Sequence, residues 1–117
     1  MKTIFYLATC KTCQKILEEL QPLDGVELRE IKEKGVTPEE LEVMRGLTDS
    51  YESLFSRRAM LFRQRGLKDQ SLTEEDYKNL ILEHYTFLKR PVIVVDDSIF
   101  IGNAKKQVEA AKEALHG

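Results

Sequence analysis

The residues with the most chemistry in them are two cysteines in the run Cys10-Lys11-Thr12-Cys13. A thiolate can open a disulfide or attack another electrophile, and a second thiol one helical turn away can resolve the covalent product. Upstream lies Thr3-Ile4-Phe5-Tyr6-Leu7, a nearly continuous apolar run of the kind shown by a strand covered on both faces. Downstream, Cys13, Ile16, Leu17 and Leu20 fall at i, i+3, i+4 and i+7, one face of a helix. The pair is therefore expected where a strand turns into a helix.

Such a place favours an anion, because the first N–H groups of a helix lack internal partners and carry partial positive charge. With its sulfur aimed at those donors, Cys10 is expected to ionise more readily than a free thiol, whose pKa is about 8.5. Lys11 adds a cation beside it. Cys13 lies on the apolar stripe and should be less exposed, so Cys10 is cast as the attacking thiol and Cys13 as the resolving one. Two other readings stand beside this one: ordinary core cysteines, or half of a zinc site. Zinc needs about two further ligands, and the only other His or Cys residues are His84 and His116. His84 lies on a helical stripe and reads better as a packed or rim histidine than as a catalytic base.

Two groups of cations could assist a thiolate facing an oxyanion. Arg90-Pro91 opens an apolar strand, and a cis bond there would bring Arg90 and its carbonyl against Cys10. Arg57, Arg58, Arg63 and Arg65 form the densest basic run, and a guanidinium meets an oxyanion with a planar fork. The same run also fits a solvated helix face. Holding an oxyanion beside a thiolate takes at least two cations, a need that Arg90 with Arg57 or Arg58 would meet.

The elements that must position these residues follow from the remaining pattern. Val26 to Ile31 alternates apolar and charged residues, as a half-exposed or edge strand does, and completes a right-handed βαβ unit with parallel strands. Thr37-Pro38-Glu39-Glu40 supplies an N-cap, a first-turn proline and a capping-box glutamate for a helix to about Arg45, closed by Gly46. From Asp49 to Lys89 no segment reads as a strand. One or two short helices are expected over Tyr51–Arg65, and a second capping signature at Thr73 starts a helix whose face is Tyr77, Leu80, Ile81, His84 and Leu88. The β-branched run Pro91-Val92-Ile93-Val94-Val95 predicts a deeply buried strand. Asp96-Asp97-Ser98 turns it into Ile99–Gly102, and Asn103 is placed to cap a last helix with Val108, Ala111 and Leu115 inward.

The expected architecture is a single α/β domain over 1–117: a βαβ half at 1–35, a helical insert at 37–89, strand-free from about 49, and a ββα half at 91–117. Its sheet is mixed, of about four strands with flanking helices. A net charge of −2 argues against direct nucleic-acid or membrane-surface binding. With neither a signal-peptide pattern nor an apolar run of membrane-spanning length, the expectation is a cytoplasmic protein. There a disulfide would be transient and catalytic.

Tyr6 through Leu17, Phe55-Ser56-Arg57-Arg58, Arg90-Pro91-Val92-Ile93-Val94 and Ile101-Gly102 together resemble the arsenate reductase (ArsC) and Spx family over nearly the whole chain. The resemblance implies a thioredoxin-like (glutaredoxin-like) fold with the helical stretch of about 49–89 inserted between the sheet halves. It implies a thiol-dependent oxidoreductase in which Cys10 is the nucleophile and Cys13 matches the second thiol of the Spx redox switch. Arg57, Arg90, Pro91 and Lys11 become the expected substrate-binding residues, with no metal. The substrate would be an oxyanion such as arsenate, or a disulfide. No cofactor is expected to be bound; an external thiol reductant, glutathione with glutaredoxin or thioredoxin, is implied. An Spx-like protein would instead sense oxidation and bind RNA polymerase. A monomer is expected in either case. The sequence departs from the family in a Tyr6–Cys10 loop one residue shorter and without proline, and in Gln14, where arginine is common. The family's third arginine, in the last segment, has no match, and Lys105 or Lys106 would have to stand in.

Overall fold

Four strands form one sheet in the computed structural model, which describes residues 1–116: β1 (Lys2–Tyr6), β2 (Glu27–Glu30), β3 (Val92–Val95) and β4 (Ser98–Ile101). Their order is β2-β1-β3-β4, with β1 parallel to β2 and antiparallel to β3, and β3 antiparallel to β4. The central strands are the two most apolar runs of the sequence, and they are buried on both faces. Ile4 stands opposite Ile93 in register and shares a core with Ile16 and Leu20 of helix α1 (Lys11–Glu19) and its end, and with Val108 and Ala111 of helix α5 (Lys105–His116). On the opposite face Thr3, Phe5, Val92 and Val94 are buried as well. The charged strand β2 takes an edge, with Leu28 exposed.

These elements make one of two compact units, Met1–Lys34 together with the chain from Arg90 onward. The second unit, Gly35–Lys89, contains α2 (Pro38–Leu47), α3 (Met60–Gln64) and α4 (Glu74–Glu83), with single-turn 3-10 segments between them. It has no strand, only a bridge between Phe55 and Leu88. Both capping boxes form: Thr37 accepts from the Glu40 N–H and Thr73 from the Asp76 N–H, and each acidic side chain returns a bond to the cap's own N–H. Removing one such hydroxyl costs about 1 kcal/mol, so Thr73→Ala should lower the unfolding free energy by that amount, seen as a lower urea midpoint with an unchanged m-value. A loss below about 0.3 kcal/mol would mean that the cap is solvated at no cost.

Several boundaries differ from the sequence reading, among them the helix capped at Thr73, whose expected face ran on to Leu88 but which ends at Glu83 because His84 is extended and Tyr85–Phe87 form a separate 3-10 turn. Helix α2 runs through Gly46 to Leu47, since Gly46 can be carried inside a helix at a modest propensity cost. Helix α5 starts after Ala104, whose carbonyl accepts from the Val108 N–H, so Asn103 lies one residue outside the cap position. His84 ends α4 and begins the next turn: its Nδ1 contacts the Thr86 hydroxyl and its ring stacks on Tyr85. It is a packed histidine.

Candidate functional site

The carboxyl end of β1 leads through Leu7, Ala8 and Thr9 to Cys10, which occupies the N-cap of α1 in extended conformation. The turn closes on itself, with the Cys10 N–H donating to the Leu7 carbonyl and the Gln14 N–H donating to the Cys10 carbonyl. A strand buried on both faces thus delivers the first thiol to the positive end of a nine-residue helix. Cys13, one turn on, is 1 % exposed and faces the core, whereas Cys10 is partly exposed. Both are free thiols.

The same surroundings act on the two sulfurs in opposite directions. Partial burial pushes the Cys10 pKa up, but the backbone N–H groups of Cys13 and Thr12, the Cys13 thiol and the Arg90 charge outweigh it, and the net shift is downward. No fully formed hydrogen bond from these amides caps the helix through the sulfur. Their effect is that of oriented dipoles, which an anion feels far more than a thiol does. Burial dominates at Cys13, and the adjacent Cys10 adds to it; the Leu7 backbone and Arg90 pull the other way without cancelling it, leaving a pKa of about 11. The first sulfur is thus favoured as the anion and the second as the thiol.

Of the other expected site residues, Arg90 is brought into play: its charge lowers the pKa of both cysteines, and the bond joining it to buried Pro91 is cis. The Pro91 carbonyl accepts from the Gly102 N–H, tying the start of β3 to the end of β4. Lys11 is exposed at the first helical position. Arg57 belongs to the helical unit, where its guanidinium donates to Glu52 at 2.7 Å and to the Tyr77 hydroxyl at 2.9 Å. Among the described residues no three His, Cys, Asp or Glu side chains gather where a metal ion could be held. None of the described helices is long and apolar enough to cross a membrane.

Two residues at the site were not singled out by the sequence reading as functional. Glu30 ends the edge strand in register with Tyr6, and its carboxylate reaches the Ala8 N–H at 2.7 Å. Gln14, noted only as a departure from the family, donates its side-chain amide to the Ala8 carbonyl at 2.7 Å. The available signal was positional: a carboxylate at the last residue of a strand parallel to β1 lies beside whatever follows β1.

The model of the ArsC family matches residues 5–111. Among curated proteins, the global transcriptional regulator Spx 2 of Bacillus cereus is 27% identical over 112 residues, covering 92% of this chain and 84% of its own length. The global transcriptional regulator Spx of Bacillus subtilis is 25% identical over 111 residues, with the same coverage of each chain. Among solved structures, an ArsC family related protein from Bacteroides fragilis has a TM-score of 0.80 at 22% identity, covering 94% of this chain and 97% of that one. An arsenate reductase related protein from Brucella melitensis has a TM-score of 0.70 at 23% identity, covering 93% of this chain and 92% of that one. These structural likenesses establish the thioredoxin-like fold.

Proposed function

Since the chain belongs to the ArsC family, we propose that it is a thiol-dependent oxidoreductase in which the Cys10 thiolate attacks and Cys13 resolves. The observation that carries this reading is the split between the sulfurs, one favoured as an anion at a helix N-terminus and the other buried and protonated one turn below. In the first step the Cys10 thiolate attacks a disulfide sulfur, forms a mixed disulfide and expels the partner as a thiolate. Cys10 then carries no charge, so one of the influences that kept the Cys13 proton in place is gone. Cys13 loses its proton to solvent and attacks the Cys10 sulfur. The second thiolate leaves, and a Cys10–Cys13 disulfide remains for an external thiol such as glutathione or a thioredoxin to reduce.

With arsenate as substrate, the Cys10 thiolate would bond to arsenic as a hydroxyl leaves as water; Cys13 would then attack the Cys10 sulfur, the S–As electron pair would stay on arsenic, and arsenite would leave as the Cys10–Cys13 disulfide forms. Arg90, whose charge already favours the thiolate, would meet the anion. Arsenate should then protect Cys10 from alkylation, and Arg90→Ala should remove the protection.

Site-resolved alkylation across pH tests the common core of both versions. Below about pH 8.5 only Cys10 should react. Its rate should rise with pH and level off above its depressed pKa, at a lower pH than for an ordinary thiol, because the thiolate is the reactive form. Cys13 should not react until the pH nears 11. Equal, slow alkylation of both cysteines would overturn the reading.

A second reading is favoured by the curated relatives, which are transcriptional regulators. On it the dithiol senses oxidation, and the protein acts by binding RNA polymerase. Co-purification with polymerase core enzyme under reducing and oxidising conditions separates the two. Binding in either state supports the regulator; catalytic turnover without binding supports the reductase.

A further inference from the structure

The short loop carrying Cys10 is held by side chains that the reaction itself does not use. Ala8 lies beyond β1, so its backbone groups are outside the strand ladder, yet both have partners. Its N–H donates to Glu30 Oε2 at 2.7 Å, and its carbonyl accepts from Gln14 Nε2 at 2.7 Å. The other carboxylate oxygen of Glu30 accepts from the N–H groups of Lys32 at 2.6 Å and Glu33 at 2.9 Å. One carboxylate therefore joins the Cys10 loop to the turn after β2, and one amide joins the same loop to the second turn of α1. Where β1 and β2 end, the Ile31 N–H also donates to the Tyr6 carbonyl, which fixes the base of this arrangement.

From this geometry we infer that Glu30 and Gln14 are positioning residues for the Cys10 thiolate, clamping the peptide groups on either side of Ala8 so that the sulfur stays over the free amides of α1. The inference rests on the reading of Cys10 as an activated nucleophile. Dipolar stabilisation of an anion at a helix end falls away within a turn, so small displacements of the sulfur matter. A three-residue loop without proline has few internal restraints of its own. Bonds to an ionised acceptor are stronger than neutral ones, which suits Glu30 to the task. The three N–H donors, with Lys32 beside them, more than offset the small desolvation of the Glu30 carboxyl and hold it ionised at neutral pH.

A purely electrostatic role for Glu30 makes the opposite prediction. A negative charge near Cys10 would raise the thiol pKa, so Glu30→Gln would lower it. The clamp predicts that Glu30→Gln raises it, because one amide oxygen cannot serve both the loop and the turn and the new NH2 group faces donors. Gln14→Met, which keeps the shape and deletes the donor, should do the same from the other side.

The experiment is the pH profile of site-resolved Cys10 alkylation in the intact protein and these variants, with thermal unfolding recorded alongside. Either substitution should raise the Cys10 pKa by about one pH unit, a tenfold loss of rate on the acid side. Because both act through Ala8, the double variant should show less than the sum. Folded variants with a wild-type or lowered Cys10 pKa would overturn the clamp while leaving the activated nucleophile intact. If Glu30→Gln does not fold, Gln14→Met, at an exposed position, decides the matter by itself. A wild-type Cys10 that titrates as an ordinary thiol would overturn the functional reading as well.

Discussion

Cys10→Ser should lower disulfide reduction by at least about a thousandfold, because the group that breaks the bond is the thiolate and an alcohol stays protonated at every pH the fold tolerates. The fold itself should be indifferent. Cys10 is a partly exposed N-cap, and serine is a better capping residue than cysteine, so stability should hold or rise slightly. Cys13→Ser should behave differently. On the proposed function the first attack proceeds, one equivalent of leaving thiol appears in a burst, and the protein stops as a mixed disulfide on Cys10 that mass spectrometry can weigh. Added monothiol should restart it by doing externally what Cys13 does internally. Normal turnover by both variants would end the enzymatic reading; a dead Cys10→Ser with a fully active Cys13→Ser would keep the nucleophile and remove the resolving role.

Much of this was legible because the critical part of the chain is local. The apolar run of β1, the helical stripe through Cys13, Ile16 and Leu20, and the dithiol between them lie within 20 consecutive residues, so period and spacing place Cys10 at a strand-to-helix turn without knowledge of the tertiary fold. The same holds for the capping boxes at Thr37 and Thr73, whose partners sit three residues away. Burial of β3 also follows from composition alone, since a β-branched run with no polar alternation can only be covered on both faces.

Long-range contacts were not legible. Glu30 reads as the solvent half of an alternating edge strand, and nothing within a few residues of it announces that its carboxylate will find the Ala8 N–H. Gln14 invites comparison with the arginine usual in the family, which directs attention to a missing charge. The bond it does make goes backwards to a backbone carbonyl six residues earlier. Arg57 shows the converse limit. A basic run admits either a solvated face or an anion site, and sequence could not foresee that Glu52 and Tyr77 would occupy its guanidinium. Side chains that bond to backbone leave no periodic trace, because any residue can supply the partner.

The largest stability effect is expected at Phe55, a residue that sequence periodicity does not mark. Phe55, Phe62, Tyr77 and Phe87 come from four different segments with no common repeat, and they meet around one fully buried ring. Phe87 stacks on Phe55 at 5.3 Å between centroids, Tyr77 tilts against it at 4.9 Å, and Phe62 meets it edge-on at 5.9 Å. The backbone closes at the same place, with the Ser56 N–H donating to the Phe87 carbonyl and the Lys89 N–H to the Leu54 carbonyl, each at 2.8 Å. Phe55→Ala removes the ring that all three neighbours touch, and such a cavity costs about 3–5 kcal/mol against a whole-domain stability of about 5–15. Phe55→Leu keeps most of the apolar volume but loses the ring geometry, worth about 0.5–1.5 kcal/mol per aromatic pair, and should fall between wild type and alanine. Urea unfolding should rank the three proteins in that order. An alanine variant within about 1 kcal/mol of wild type would mean that the surrounding rings collapse into the space. The consequence reaches Arg57, because the Tyr77 ring packed on Phe55 also lies under its guanidinium at 5.7 Å and offers its hydroxyl as acceptor. Loosening Tyr77 should leave Arg57 held by Glu52 alone, so a double-mutant cycle between Phe55→Leu and Arg57→Lys should be non-additive.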